Sequence, residues 1–276
     1  MSDDVPAEVG PATFLAKTEA AVEVGLVADH DSGLDVEADD YDRLLASLGR
    51  TYDEDERIAV HEAGHAVCAR LLGHEVGGVT VNPDPVRGSE GLCWGVEHEE
   101  AFAEGRGGAS DVRDALSAIM PHAGDDRRPV ADVFSSVYTQ CIEFMAGRAA
   151  ERMLLDGEPA TPVDDLCQAR ELASLICTSD EAIDVFIAHC DLVARDLLMP
   201  YGDVVMVLST VLRIKRTLDG AEIDQIISDV EARKALAIER FRRAEWWKRE
   251  LAASRFRAEC GYLDGAVATS SRGQVP

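Results

Sequence analysis

Two histidines and a glutamate lie close together in the segment from His61 to His65, which has the sequence His-Glu-Ala-Gly-His. If this segment is helical, the histidines lie one turn apart on the same face, and both imidazole rings can reach one metal ion. Zinc is commonly bound by histidine nitrogens in four-coordinate sites. Glu62 lies beside the two ligands, where its carboxylate can accept a proton from a water molecule that zinc has made acidic. The spacing therefore predicts that His61 and His65 bind zinc and that Glu62 is a general base.

The residues around this segment predict the helix that such chemistry requires. Thr51 or Asp53 can cap its start, with Glu54 or Glu56 three residues later as the partner in a capping box. Gly73 provides a stop at its end. The alternative interpretation is a pair of histidines that are solvated or packed in the core without a metal.

A catalytic zinc ion needs a third protein ligand and an open fourth position. From a later helix, Asp164 or Asp165 could supply it. Asp164 stands where a capping box would occupy its carboxylate, whereas Asp165 is free to point elsewhere. An acid in a first helical turn can also simply favour the helix dipole, so spacing leaves this choice open. Further candidates from the loop after the metal helix are Glu90, Glu97, His98, Glu99 and Glu100.

Hydrophobic periodicity predicts a mainly α-helical fold with a small β-sheet, an α+β class in which the metal helix packs among other helices. Strands are predicted at 76–81 and at Gly91–Val96, where short apolar runs are bounded by turn residues. Predicted helices cover residues 40–48, 51–72, 111–120, 130–156, 161–178, 180–199, 201–218, 221–229 and 231–258.

Charge is distributed unevenly along the chain, whose net charge is −25. Such an acidic chain argues against nucleic acid or an anionic membrane as a partner. We predict an acidic, partly disordered arm over residues 1–50, a metallopeptidase-like domain over 51–229, and a basic helix with a disordered tail over 230–276. In that basic helix, Trp246 and Trp247 either pack on the domain or dock on an acidic partner.

Several features predict a cytoplasmic protein. The seven cysteines are scattered and form no paired motif, which favours a reducing compartment. The first residues show no signal peptide. The best apolar run, Val204–Leu212, is too short to cross a bilayer.

Five segments in chain order carry further motifs: Ile58–Val67, Val79–Pro83, Ala146–Glu151, Val163–Ala173 and Leu218–Ile223. Together they resemble the peptidase domain of the FtsH family of ATP-dependent zinc metalloproteases. The resemblance covers roughly residues 55–228. It implies that His61, His65 and Asp165 bind zinc and that Glu62 is the base. It also implies that Arg148 and Glu151 form a structural pair.

The resemblance leads us to expect a zinc metalloendopeptidase that hydrolyses unfolded or flexible proteins, with the strand near Gly91–Val96 receiving the substrate backbone. The chain has no GxxxxGK[ST] phosphate loop, ATPase module or membrane anchor, so no ATPase activity is expected from it. The expected partners are a protein or peptide substrate and either further copies of the chain or a separate unfoldase. The alternative is a non-catalytic, peptidase-like module that holds peptides or a partner.

Overall fold

The fold is mainly α-helical with one small antiparallel sheet, which confirms the fold class predicted from the sequence. A computed structural model describes residues 40–84, 88–96, 109–157, 159 and 163–270, with residues 261–270 described for their helical backbone alone. The arm before residue 40, the predicted helix start at 161–162 and the candidate ligands at 97–100 lie outside the described residues.

The first two strands of the sheet are consecutive elements, whereas the third lies far along the chain. In chain order the described elements are α1 (Asp40–Leu48), α2 (Tyr52–Leu72), β1 (Val76–Thr80), β2 (Leu92–Gly95), α3 (Ala109–Ser117), α4 (Ala131–Leu154), α5 (Val163–Ala173), α6 (Asp180–Leu198), α7 (Gly202–Lys215), β3 (Thr217–Asp219) and α8 (Gly220–Ser270).

Helix α2 begins and ends at the residues that the sequence predicted. The Thr51 hydroxyl accepts a hydrogen bond from the backbone N–H of Glu54 at 3.2 Å. In return, the Glu54 carboxylate accepts one from the backbone N–H of Thr51 at 2.7 Å, which completes the capping box. Gly73 ends the helix in the left-handed conformation, with φ of 86°. The predicted metal ligands therefore lie in the middle of a well-capped helix.

Small residues allow α2 to pack very closely on α4. A Cβ atom at Gly64 would lie 2.6 Å from Cβ of Ala150 and 2.8 Å from the carbonyl oxygen of Ala146. Any side chain at this position would therefore push the two helices apart. Ala63 and Ala66 are fully buried on the same helix. This close approach brings the backbone of α4 next to the histidines of α2.

The sheet has the strand order β2-β1-β3, and both pairs are antiparallel. Val79 in β1 lies opposite Cys93 in β2 and opposite Leu218 in β3. Strand β3 was not predicted, because Thr217 and Leu218 were assigned to the end of the preceding helix and Asp219 to a turn. The chain leaves that helix at Arg216, which has a φ of 70°. Among the described residues, the outer edge of β2 has no strand partner.

Helix α8 differs from the prediction in two ways. The predicted break near residue 230 is absent, and the helix continues to Ser270 although a disordered tail was predicted from Gly261. No glycine or proline occurs from Ala221 to Cys260, and alanine, arginine and glutamate favour a helix there. After Val230, no residue up to Cys260 is buried.

Helices α6 and α7 form a nearly continuous run from Asp180 to Lys215. Within the described residues, this run alone is long and apolar enough to cross a membrane, judged by length and composition. Its inner face lies in the protein core, where Ile187, Leu198 and Leu208 are buried. The apolar run considered in the sequence, Val204–Leu212, lies in α7 alone and leaves out the apolar residues of α6. That the chain has no membrane partner stays a prediction.

Candidate metal centre

Two helices bring three predicted ligands together. His61 and His65 project from α2, and Asp165 projects from the first turn of α5. The Nε2 atoms of the histidines are 3.0 Å apart. Oδ2 of Asp165 lies 2.9 Å from Nε2 of His61 and 3.3 Å from Nε2 of His65. These three side chains form a group that can hold a metal ion.

The opposite nitrogen of each histidine is fixed by an acceptor on α4. Nδ1–H of His61 donates to Oε1 of Glu151 at 2.6 Å. Nδ1–H of His65 donates to the backbone carbonyl oxygen of Glu143 at 2.7 Å. Because both acceptors need a proton from Nδ1, each neutral ring has its lone pair on Nε2, where a metal would bind.

This arrangement requires positive charge at its centre. Two Nε2 lone pairs and one carboxylate oxygen lie within 3.3 Å of one another, and none of these atoms carries a proton when the rings are neutral. Burial lowers the pKa of His61, but hydrogen bonds with Asp165 and Glu151 outweigh it and raise the pKa to about 10. Burial raises the pKa of Asp165, yet the neighbouring His65 and His61 hold it below the ordinary range. A cation bound to all three atoms would satisfy them together.

The spacing of the ligand atoms fits a small divalent ion. Zinc bound tetrahedrally at about 2.0–2.1 Å from each ligand places neighbouring ligand atoms about 3.3 Å apart. The observed separations of 2.9, 3.0 and 3.3 Å lie close to that value. Two imidazoles and a carboxylate also suit other transition metals, including iron, copper and nickel. The geometry therefore supports a metal site without identifying the metal.

Glu62 lies beside the group and is nearly buried, with 7% of its surface exposed. Its carboxylate accepts no hydrogen bond from any described residue, which is unusual for a buried acid. Burial raises its pKa, although His65 and His61 act in the opposite direction. A Cβ atom at Gly91 would lie 2.7 Å from Cγ and Oε1 of Glu62, so the Gly91 backbone lies directly against this side chain.

Two arginines fix the chain just before Gly91. The Arg57 guanidinium donates to Oε2 of Glu90 at 2.6 Å and lies 3.7 Å from Oε1 of Glu151. Arg50 donates to the backbone carbonyl oxygen of Glu90 and, at 2.5 Å, to that of Val81. Glu90 was one of the candidate ligands, but its side chain bonds Arg57 and does not join the metal group.

The role of Glu151 was not found from the sequence, which predicted a structural pair with Arg148. Within the described residues, Glu151 bonds His61, whereas Nε of Arg148 is buried without a hydrogen-bond partner. The signal for this role was weak but present. Glu151 follows Ala149 and Ala150 in α4, and an acid that is buried next to small apolar residues needs a polar partner.

Other predicted residues take no part in the group. Asp164 precedes Asp165 on α5 and is exposed. His74 lies 2.8 Å from Oε2 of Glu143, so it pairs with an acid and not with the metal ligands.

Comparison with known proteins adds no further support. No protein-family model matches the chain, and no curated protein matches it. The likeness to the FtsH peptidase domain is therefore a hypothesis that depends on the segments named above.

Proposed function

We propose that this chain is a zinc-dependent metalloendopeptidase. The observation that carries the proposal is the position of Glu62, a buried carboxylate without a described hydrogen-bond donor beside a three-ligand metal group. A structural metal site has no need of such a residue, because an unpaired buried acid is costly. A general base needs this arrangement, because its lone pairs must be free to accept a proton.

The residues of the centre divide the work of hydrolysis. His61, His65 and Asp165 would hold zinc, which supplies a Lewis acid that lowers the pKa of a water molecule to about 7. Glu62 would accept a proton from the attacking water and deliver it to the leaving amine of the peptide. Its raised pKa, which results mainly from burial, favours acceptance of that proton. Glu151 keeps His61 oriented throughout.

Strand β2 offers a place for an extended substrate. Its outer edge has no strand partner within the described residues, so a peptide can add to the sheet there through backbone hydrogen bonds. The residue before this strand, Gly91, contacts Glu62, so a peptide on that edge passes close to the base. A substrate bound in this way must be extended, which favours unfolded or flexible proteins.

Replacing Glu62 tests the proposal directly. Glu62→Gln should bind zinc as the wild type does but cleave a casein-like unfolded substrate roughly 10²–10⁴-fold more slowly. Glu75→Gln is the control, because Glu75 is exposed and lies beyond the end of α2, just before β1. Cleavage by Glu62→Gln at the wild-type rate would exclude the mechanism. Zinc-loaded wild type that is inert on a broad peptide library would favour a non-catalytic binding module.

Separate substitutions of two neighbouring aspartates test the proposed metal ligands. Asp165→Ala should lose zinc after dialysis, whereas Asp164→Ala should retain it, because only Asp165 reaches the histidines. Metal content measured by mass spectrometry separates the two. If both variants retain a full equivalent of zinc, the proposed ligand set is wrong.

A further inference from the structure

The distal part of α8, residues 231–260, carries large apolar side chains that nothing in the described chain covers. An isolated helix of this kind is unfavourable in water, because its stability comes mainly from packing of its apolar side. Phe241, Ala244, Trp247 and Leu251 follow at steps of three or four residues, which places them along one side of the helix. Within this distal segment, the large apolar residues that are more than half exposed are Leu236, Ile238, Phe241, Trp246, Trp247, Leu251 and Phe256.

A second uncovered apolar surface lies on the run formed by α6 and α7. Val185, Leu192, Met199 and Met206 are each about half exposed or more and are spaced seven residues apart. Seven residues are close to two helical turns, so the four side chains form a stripe along the outer face of this run. We call them the α6–α7 stripe. Residues 180–206, which contain it, include six acids and one arginine.

We infer that the chain forms a dimer in which the distal α8 of each copy docks on the α6–α7 stripe of the other. The distal helix is basic, with nine basic and five acidic residues over 231–259. The remainder of the domain, 40–230, is acidic, with 36 acidic and 16 basic residues. Two distal helices packed on each other would bring like charges together, whereas helix on stripe brings opposite charges together.

One contact within the chain joins the start of the distal helix to residues beside the stripe. Lys234 at the start of the distal helix donates to the carbonyl oxygen of Pro200 at 2.8 Å and to Asp203 at 3.2 Å. Both acceptors lie beside the stripe, between Met199 and Met206. Beyond Lys234 no residue up to Cys260 is buried, so the apolar side of the distal helix is accessible to another molecule's stripe.

The dimensions of the two surfaces also match. The distal helix is about 45 Å long, and the stripe extends over about 30 Å, at 1.5 Å per residue. A reciprocal pair has two such contacts, as two-fold symmetry requires. Burying about 100 Å² on each of Phe241, Trp247 and Leu251 and on each of the four stripe residues gives about 1,400 Å² over the two contacts, which is within the range of specific interfaces.

Analytical ultracentrifugation of the full chain tests the dimer. Wild type should sediment as a dimer, and Trp247→Glu on the helix or Leu192→Glu on the stripe should each raise the dimer Kd by roughly 30-fold or more. Ile119→Glu is the matched control, because Ile119 is exposed but lies on neither surface. Circular dichroism checks that each variant is folded. The test does not use the metal or peptide cleavage, so its outcome is independent of the proposed function.

Mixing the variants tests which surfaces meet. A chain with Trp247→Glu retains an intact stripe, and a chain with Leu192→Glu retains an intact helix, so their mixture should form dimers more tightly than either alone. Wild type that stays monomeric at high concentration would overturn the inference. So would a dimer that Leu192→Glu leaves intact, or a monomer whose distal helix binds phosphatidylserine vesicles.

Discussion

Gly147 on α4 leaves room for the ring of His61, so one added methyl group there should remove the metal site without unfolding the protein. A Cβ atom at Gly147 would lie 2.5 Å from Cε1 and Nε2 of His61 and 2.6 Å from its Cδ2. Ordinary carbon contacts are about 3.5–4.0 Å long, so the ring must move by roughly 1 Å. Metal–ligand distances tolerate deviations of only about 0.2 Å, and the displaced Nε2 would no longer be in position.

The size of the effect follows from this displacement. We expect Gly147→Ala to weaken zinc binding by about 100-fold or more. Substitution of residues that support a metal ligand usually weakens binding by about 10–100-fold, and this substitution displaces the ligand itself. At a fixed excess of zinc, that loss lowers the free energy of unfolding by about 2.7 kcal/mol. The corresponding fall in Tm is roughly 5–10 °C for a chain of this size. Without metal, stability should change less, because alanine is favoured over glycine in a helix by roughly 0.5–1 kcal/mol and offsets part of the crowding.

The assay compares metal affinity and thermal stability in the same variants. Zinc affinity is measured by competition with a chromophoric chelator, and Tm is measured with and without zinc. Gly202→Ala is the control, because a Cβ atom there would meet its nearest neighbours at 3.8 and 3.9 Å, which are ordinary contacts. Wild-type zinc affinity in Gly147→Ala would refute the proposed role of His61. A large loss of stability without metal would show that the substitution acts on packing instead.

Three further predictions follow from contacts around the centre. Glu151→Gln removes the charge that orients His61 and should weaken zinc binding by about 10–100-fold in the chelator assay, whereas unchanged affinity would dismiss that role. Gly91→Ala should displace Glu62 and lower kcat for peptide cleavage while zinc content stays at the wild-type level, and a wild-type kcat would contradict this. Asp55 is fully buried, and its pKa is lowered because hydrogen bonds from arginine outweigh the effect of burial. Its contribution to stability is therefore present above about pH 4 and is lost as pH falls through the lowered pKa. Urea unfolding should therefore show Asp55→Asn about 3 kcal/mol less stable than wild type at pH 7, with the difference shrinking in acid, and an equal difference at both pH values would refute it.

Local sequence signals were sufficient to predict the metal helix. Its capping box and its terminal glycine involve residues only a few positions apart, so they can be recognised without tertiary information. The same reasoning placed His61 and His65 on one helix face, where the structure has them. The choice of Asp165 over Asp164 needed the family resemblance, because both occupy the first turn of α5 and spacing alone favours neither.

Contacts between distant segments were beyond the reach of local signals. Glu151 lies 90 residues from His61 in the chain, and only the close packing of α2 on α4, permitted by Gly64, brings them together. Strand β3 has three residues, too few for an alternating pattern to show, and it forms because β1 offers it a partner. The continuity of α8 through residue 230 is different, since the lack of glycine and proline from Ala221 to Cys260 was visible in the sequence and the predicted break had no local cause.

The balance of charge at the metal centre involves Arg57, a residue that also contacts the chain leading to the edge strand. Glu62, Asp165 and Glu151 bring three negative charges to a largely buried region when all are ionised, and neutral histidines cannot offset them. A divalent cation offsets two of these charges, and Arg57, which lies 3.7 Å from Glu151, supplies the third positive charge. Arg57 also bonds Glu90 on the chain that leads to Gly91 and the edge strand. The residue that completes the charge balance of the metal centre is therefore the same one that fixes the approach to the proposed substrate edge. Buried charges of one sign are tolerated only when they are paired, so the metal and Arg57 together account for why this cluster of acids is compatible with a folded core.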